Sequence, residues 1–276
     1  MSRRTIAIAA ALSVLALGSP LMTGCTNPLA INSFNSGVEK SEQGDYQGAI
    51  TDYTKAIEIN PQHANAYLNR GLAKFNLKDY QGAVSDNNKA IEINPKFDYA
   101  YNNRGLAKSN LKDHQGAIAD YDKAIEINPK NSNAYNNRGI SKFDLKDYQG
   151  AIADSNKAIA INPQHTNAYG NRGNAKFNLN NYQGAISDYD KAIEFNPQYA
   201  LAYGNRGLAK FNLKDYQGAI VDYDKLIEIN PELAVGYRMR GINKELIGDL
   251  KGACRDWRKA ADFGLTQPAE WVKKQC

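Results

Sequence analysis

A chain of 276 residues with 42% hydrophobic and 23% charged side chains can bury a continuous core, and its composition excludes wholesale disorder and a multi-span membrane protein. The formal charge is +5 from 34 basic and 29 acidic residues, and falls to +3 once Arg3 and Arg4 leave with the leader described next, which is too mild for a nucleic-acid partner. Seventeen Tyr against two Trp and three His point to residues that recur by repetition.

Residues 1–24 read as a signal peptide. Arg3 and Arg4 form its positive start, Ile6 to Leu17 its apolar run, and Gly18, Ser19 and Pro20 its break. A spanning helix needs about 20 apolar residues, whereas the centre of a leader needs about 7 to 15. The run ends at Leu21-Met22-Thr23-Gly24-Cys25, which resembles the lipobox of bacterial lipoproteins, although Met22 stands where that motif usually has Leu. The resemblance implies a lipidated Cys25, a short linker over 25–29, and an exported body anchored to a membrane of the bacterial cell envelope, with periplasmic, outer and thylakoid faces all open. Two or more acyl chains anchor stably where one is marginal. An ordinary exported leader and an uncleaved anchor are the alternatives.

From residue 30 the chain is periodic. Prolines 61, 95, 129, 163, 197 and 231 stand 34 residues apart, the period of a helix-turn-helix solenoid unit. Counting back from them gives seven repeats, 30–63, 64–97, 98–131, 132–165, 166–199, 200–233 and 234–267, followed by a capping helix over 268–276. In the fifth repeat Tyr169, Gly173, Ala185, Tyr189, Ala192 and Pro197 occupy positions 4, 8, 20, 24, 27 and 32. This resembles the tetratricopeptide repeat pattern, and the wording of the units looks like repeats common in cyanobacterial proteins. The implied fold is all-α, a right-handed α-solenoid superhelix of seven helix-turn-helix units plus the C-terminal cap.

The spacing of apolar residues supports two helices per unit without the resemblance. Ala117, Ile118, Tyr121, Ala124 and Ile125 fall on one helical stripe, so one face is buried. Small residues such as Gly105, Ala117 and Ala124 let helix backbones approach, while Tyr101 and Tyr121 fill wider gaps. Asp at position 16, for example Asp79, suits the N-cap of the second helix, and Asn94-Pro95 ends it.

Departures gather at the ends. The first repeat has Ser33 in place of the aromatic at position 4 and reads as an N-terminal cap. In the seventh, Trp257 replaces Tyr and Leu265 replaces Pro, and Pro268 suits the first turn of the final helix. Cys254 occupies an apolar row (Ile50, Val84, Ile118, Ile152, Ile186, Ile220) on the side that receives the next helix, and Cys276 ends the cap. Export plus this placement predicts a Cys254–Cys276 disulfide; a buried thiol and a frayed end are the alternative.

Arg recurs at position 7, Asp at 23 and Lys at 11 and 26. A catalytic constellation is singular, whereas residues repeated every 34 serve stacking or a repeated groove. Arg and Asp are expected to pair between stacked helices, and both Lys rows to be solvated. His63 and His165 fall in loops between repeats and His114 replaces the Tyr of position 17, so all three read as surface or packing residues. Metal-binding, phosphate-cradling and nucleophile motifs are missing from the sequence, so neither catalysis, nor a metal, nor a cofactor is expected.

The resemblance implies that positions 2, 5, 6, 9, 12 and 13 of the first helices line a concave groove. Position 6 is Asn35, Asn69, Asn103, Asn137, Asn171 and Asn205, then Met239, which resembles the asparagine ladder of peptide-binding tetratricopeptide superhelices. An amide both donates and accepts, so such a row suits the backbone of an extended peptide. Phe75, Phe143, Phe177 and Phe211 at position 12, with Leu72, Leu106, Ile140 and Leu208 at position 9, add apolar surface. Support of the stack, or tandem duplication of a neutral residue, is the competing explanation of the ladder.

The sequence therefore predicts a non-catalytic, membrane-anchored scaffold that binds a protein or extended peptide, of open oligomeric state. A receptor or specificity subunit for a partner enzyme of the envelope is the second reading.

Overall fold

A computed structural model describes residues 27–276. The leader, Thr23-Gly24 and Cys25 lie outside the described residues. Among those described there are fifteen α-helices and no strand, in two compact units that divide between Asp113 and His114.

The first unit contains α1 (Pro28–Glu42), α2 (Tyr46–Ile59), α3 (Ala64–Asn76), α4 (Tyr80–Ile93) and α5 (Asp98–Asn110). The second contains α6 (His114–Ile127), α7 (Ser132–Asp144), α8 (Tyr148–Ile161), α9 (Thr166–Asn178) and α10 (Tyr182–Phe195). It continues with α11 (Ala200–Asn212), α12 (Tyr216–Ile229), α13 (Ala234–Leu246), α14 (Leu250–Asp262) and α15 (Thr266–Gln275). Within each unit a helix packs on its sequence neighbours, and successive first helices also touch, α1 on α3 on α5 and α7 on α9 on α11. This is the packing of a helical solenoid.

Local chemistry closes each turn. The first helix ends in a Schellman pair: in the fourth repeat Lys146 N–H donates to Phe143 O (2.8 Å) and Asp147 N–H to Lys142 O (2.9 Å). The residue between them is left-handed, with φ of 82° at Gly44 and 88° at Gly248, but Lys78, Lys112, Lys146, Asn180 and Lys214 hold the same place at 60° to 72°. Position 16 then caps the second helix, as Asp147 does by accepting from Gly150 N–H at 2.9 Å. A Cβ at Gly150 would collide with that cap carboxylate, which accounts for glycine so early in a helix. At the far end Asn162 is extended before its proline, and its Oδ1 accepts from Gln164 N–H at 3.1 Å.

The core is built from alanines that are fully buried, such as Ala49, Ala73, Ala185 and Ala192, around Tyr53 and Tyr189. Gly37 and Gly173 lie against those rings, where a Cβ would stand 2.7 Å from ring carbons, so glycine at position 8 admits the aromatic at position 24. The final helix begins at Thr266, two residues before the expected start, and Pro268 is buried in its first turn. Trp271 packs edge-on to Trp257 (5.2 Å between centroids), and Cys254 and Cys276 are joined as a disulfide with Cα atoms 5.7 Å apart. No described helix is long and apolar enough to cross a membrane.

Candidate functional site

The first helices carry the expected groove residues on consecutive turns. Asn35 is exposed, while Asn69, Asn103, Asn137, Asn171 and Asn205 are half-buried. In the first unit burial pushes the Tyr53 phenol up to about 12, opposed by the Ser41 and Asn69 side chains. Asn103 Oδ1 accepts a long contact from Asn102 Nδ2 (3.4 Å).

In the second unit the amides form two hydrogen-bonded clusters. Asn136 Nδ2 approaches Asn137 Oδ1 at 3.5 Å, and Asn136 Oδ1 accepts from Asn171 Nδ2 at 2.8 Å. One repeat on, Asn174 Oδ1 accepts from both Asn205 Nδ2 and the Tyr189 hydroxyl, each at 2.9 Å. Asn171 and Asn205 thus commit an N–H to a neighbouring helix, and the carbonyl Oδ1 of each has no hydrogen-bond partner among the described residues. Sequence reading missed Asn174, because it took position 9 for an apolar row; the signal was the break in that row.

Leu72, Leu106, Ile140 and Leu208 are half-buried, as are the four phenylalanines. Phe75, Phe143, Phe177 and Phe211 lie 5.2 to 5.8 Å from Tyr80, Tyr148, Tyr182 and Tyr216 of the following helices. Each ring therefore fills the mouth between its own two helices and leaves one side open.

Beneath this surface runs a charged ladder. Arg138 Nε lies 2.9 Å from Asp154 Oδ2, Arg138 Nη1 lies 2.6 Å from Asp122 of the preceding repeat, and its guanidinium covers Tyr135. Arg70, Arg172, Arg206 and Arg240 repeat the pairing with Asp86, Asp188, Asp222 and Asp256. The two carboxylates beside Arg138, Asp154 foremost, hold its guanidinium charged well above the ordinary arginine range. Lys at position 11 is a correction to the solvated row: Lys74, Lys142, Lys176, Lys210 and Lys244 each bond the same buried Asp at 2.8 to 2.9 Å. Burial of the acid supplies the reason, since one arginine leaves carboxylate lone pairs that a second cation can satisfy. The first repeat lacks the arginine, and Asp52 is held at about 2 by Lys40 first and then Ser36. In the outer Lys row Lys89, Lys191 and Lys225 pair with the exposed Glu92, Glu194 and Glu228, while Lys55 of the first repeat reaches the buried Asp52 at 3.2 Å.

His63 and His165 sit at the starts of α3 and α9, and burial pushes both below the usual histidine range. His165 Nε2 approaches Asn133 Oδ1 at 3.2 Å, and His114 Nδ1 lies 3.8 Å from Asp144. Among the described residues no cluster of His, Cys, Asp or Glu has the makings of a metal site.

A helical solenoid with repeated, non-singular polar residues belongs to a class of fold that is typically a non-catalytic scaffold. Family models described as tetratricopeptide repeat match residues 64–97, 99–131, 166–199 and 200–233, and again 120–153, and a TPR repeat model matches 39–78. Together they cover more than half of the chain, which belongs to the tetratricopeptide repeat family. The crystal structure of MamA is similar at 28% identity and TM-score 0.55, covering 60% of this chain and 96% of that one. A tetratricopeptide repeat protein from Parabacteroides merdae is similar at 21% identity and TM-score 0.66, over 90% of this chain and 98% of that one. YrrB, described as a TPR protein with an unusual peptide-binding site, is similar at 23% identity and TM-score 0.52, over 67% and 95%. No curated protein sequence matches the chain significantly. Family and fold together make this chain a protein-interaction scaffold.

Proposed function

We propose that the chain is a non-catalytic receptor for an extended peptide segment of a partner protein, which it binds along the first helices. The observation that carries this is the orientation of Asn171 and Asn205. Each is fixed through its N–H by a neighbouring helix and keeps its carbonyl oxygen unengaged. Acceptors held at one per repeat suit the N–H groups of an extended backbone, whose other edge is left for partner-specific contacts. The half-buried Leu208, Phe177 and Phe211 supply apolar contact for alternate side chains. Asparagine is a mediocre helix former, so its recurrence inside helices opposes local propensity and is offset by that role.

Lipidation at Cys25 and export to the cell envelope belong to the same proposal, since the leader ends on the lipobox-like Leu21 to Cys25. Mass spectrometry of the mature N-terminus tests this part: a cysteine carrying acyl chains is expected, and an unmodified or uncleaved N-terminus refutes it. Crosslinking in cells tests the groove, comparing wild type with Asn137→Ala plus Asn171→Ala at equal abundance and helicity. Loss of a captured partner from the variant is expected; identical partners in both would reduce the ladder to support of the helix stack.

A further inference from the structure

The turn between α13 and α14 departs from the other turns between paired helices of the second unit. In the fourth to sixth repeats position 13 is Asp144, Asn178 or Asn212, and position 17 is the half-buried Tyr148, Tyr182 or Tyr216. The seventh repeat places Leu246 and Leu250 there, on either side of Ile247. The ring that those tyrosines meet has gone as well, since Glu245 stands where Phe143, Phe177 and Phe211 fill the mouth between helices. Leu246, Ile247 and Leu250 are consequently 44 to 48% exposed, whereas the other three turns expose one leucine each, Leu145, Leu179 or Leu213.

The helix that leaves this turn carries cations where its counterparts are neutral or acidic. Lys251 replaces Gln149, Gln183 and Gln217; Arg255 replaces Ala153, Ser187 and Val221; Arg258 replaces Asn156, Asp190 and Asp224. All three are exposed, and their i, i+4, i+7 spacing makes one stripe about 10 Å long that starts beside the apolar turn. Position 25 elsewhere holds the arginine of the next first helix, as Asp190 holds Arg206 at 2.6 Å and Asp224 holds Arg240 at 2.7 Å. The following helix here, α15, has no arginine, so Arg258 is released from stacking. Lys251, Arg255 and Arg258 form no ion pair among the described residues. In α14 and α15 the exposed cations Lys251, Arg255, Arg258, Lys259, Lys273 and Lys274 outnumber the exposed acids Asp262 and Glu270, because Asp256 is buried on Arg240 and Lys244. Asp249, which precedes α14, caps its first turn by accepting from Gly252 N–H.

We infer that this surface, the Leu246 to Leu250 turn with the stripe of Lys251, Arg255 and Arg258, docks the body of the chain on the anionic headgroups of a lipid bilayer. Three aliphatic side chains at a turn tip enter the boundary of the acyl region, while the long cationic side chains behind them stay at the level of the phosphates. A fluid surface closes around protruding side chains without needing a fixed complementary shape. The docking uses neither Cys25 nor the row of asparagines, so it stands apart from the receptor reading and from lipidation.

The test uses the mature chain with Cys25→Ser, which carries no acyl chain, and sedimentation with vesicles of phosphatidylcholine alone or of equal parts phosphatidylcholine and phosphatidylglycerol. Wild type is expected to partition at least about tenfold more strongly onto the mixed vesicles at low salt, and to lose that preference as salt rises. Lys251→Gln with Arg255→Gln and Arg258→Gln should abolish the preference at unchanged helicity. Lys123→Gln with Lys191→Gln and Lys225→Gln removes the same charge from other exposed positions and should leave it within about twofold of wild type. Leu246→Asn with Ile247→Ser should weaken partition by about tenfold while the preference for anionic vesicles remains. Equal partition onto both vesicles, equal loss in the two charge variants, or an unaffected turn variant overturns the docking surface. Retention on immobilised polyglutamate that is lost in the Lys251, Arg255 and Arg258 variant, without partition onto either vesicle, also overturns it and identifies an acidic protein as the occupant.

Discussion

At the scale of the residue, the buried aspartate of position 23 is the most consequential side chain after the alanines of the core. Asp154 is nearly fully buried between Arg138 and Lys142, so removing one partner exposes the cost of the charge that remains. Arg138→Met is expected to destabilise the second unit by about 3 kcal/mol in urea unfolding, and Arg138→Met with Asp154→Leu to recover most of the loss. Asp52 gives a pH signature. Its carboxyl is depressed from 3.8 to about 2, so its stabilisation is present in full above about pH 4 and is lost as pH falls through about 2. Thermal unfolding between pH 5 and pH 2 should therefore be flatter for Asp52→Asn than for wild type. The Arg–Asp pairing was legible from recurrence alone. The lysine of position 11 was not, because a charge facing solvent and a charge reaching a buried carboxylate have the same spacing.

At the scale of the element, the turn between paired helices carries a built-in cost. Lysine at φ 65°, as at Lys146, adopts the left-handed conformation that Gly248 adopts freely in the seventh repeat. Lys146→Gly is expected to stabilise by about 0.5 to 1 kcal/mol, read as a higher urea midpoint at unchanged slope. The cap beside it predicts a coupling. Asp147→Ala should cost about 1 kcal/mol, and Gly150→Ala should destabilise the wild type but be tolerated in that background, since the atoms nearest to its Cβ belong to the cap carboxylate. Helix positions and terminators were legible because Asp, Asn-Pro and apolar periodicity act locally. The last helix begins at Thr266 rather than at the proline, since Leu265 N–H can close the preceding turn on Ala260 O before Pro268 is reached.

At the scale of the whole molecule, a solenoid has no central core, so an end opens without the rest. The C-terminal end of the second unit is held by the Cys254–Cys276 bridge, with a separation of 22 residues, and by the Trp257–Trp271 contact. Reduction is expected to remove about 3 kcal/mol from the docking of α15 and to raise amide exchange in α15 and α14, while α7 and α8 keep their protection. Uniform loss of protection throughout the second unit would refute this local account.

What the sequence by itself determined is the repeat, the helices, their caps and which residues recur along the first helices, because each depends on spacing along the chain. What only the tertiary structure decided is which of those residues remain available. Asn171 and Asn205 keep a carbonyl oxygen because their N–H groups reach a neighbouring helix, and Lys142 is spent on a buried aspartate. Availability depends on partners that lie anywhere from a dozen to some thirty-five residues away in sequence, and only the packing of one helix against the next brings them within hydrogen-bonding distance.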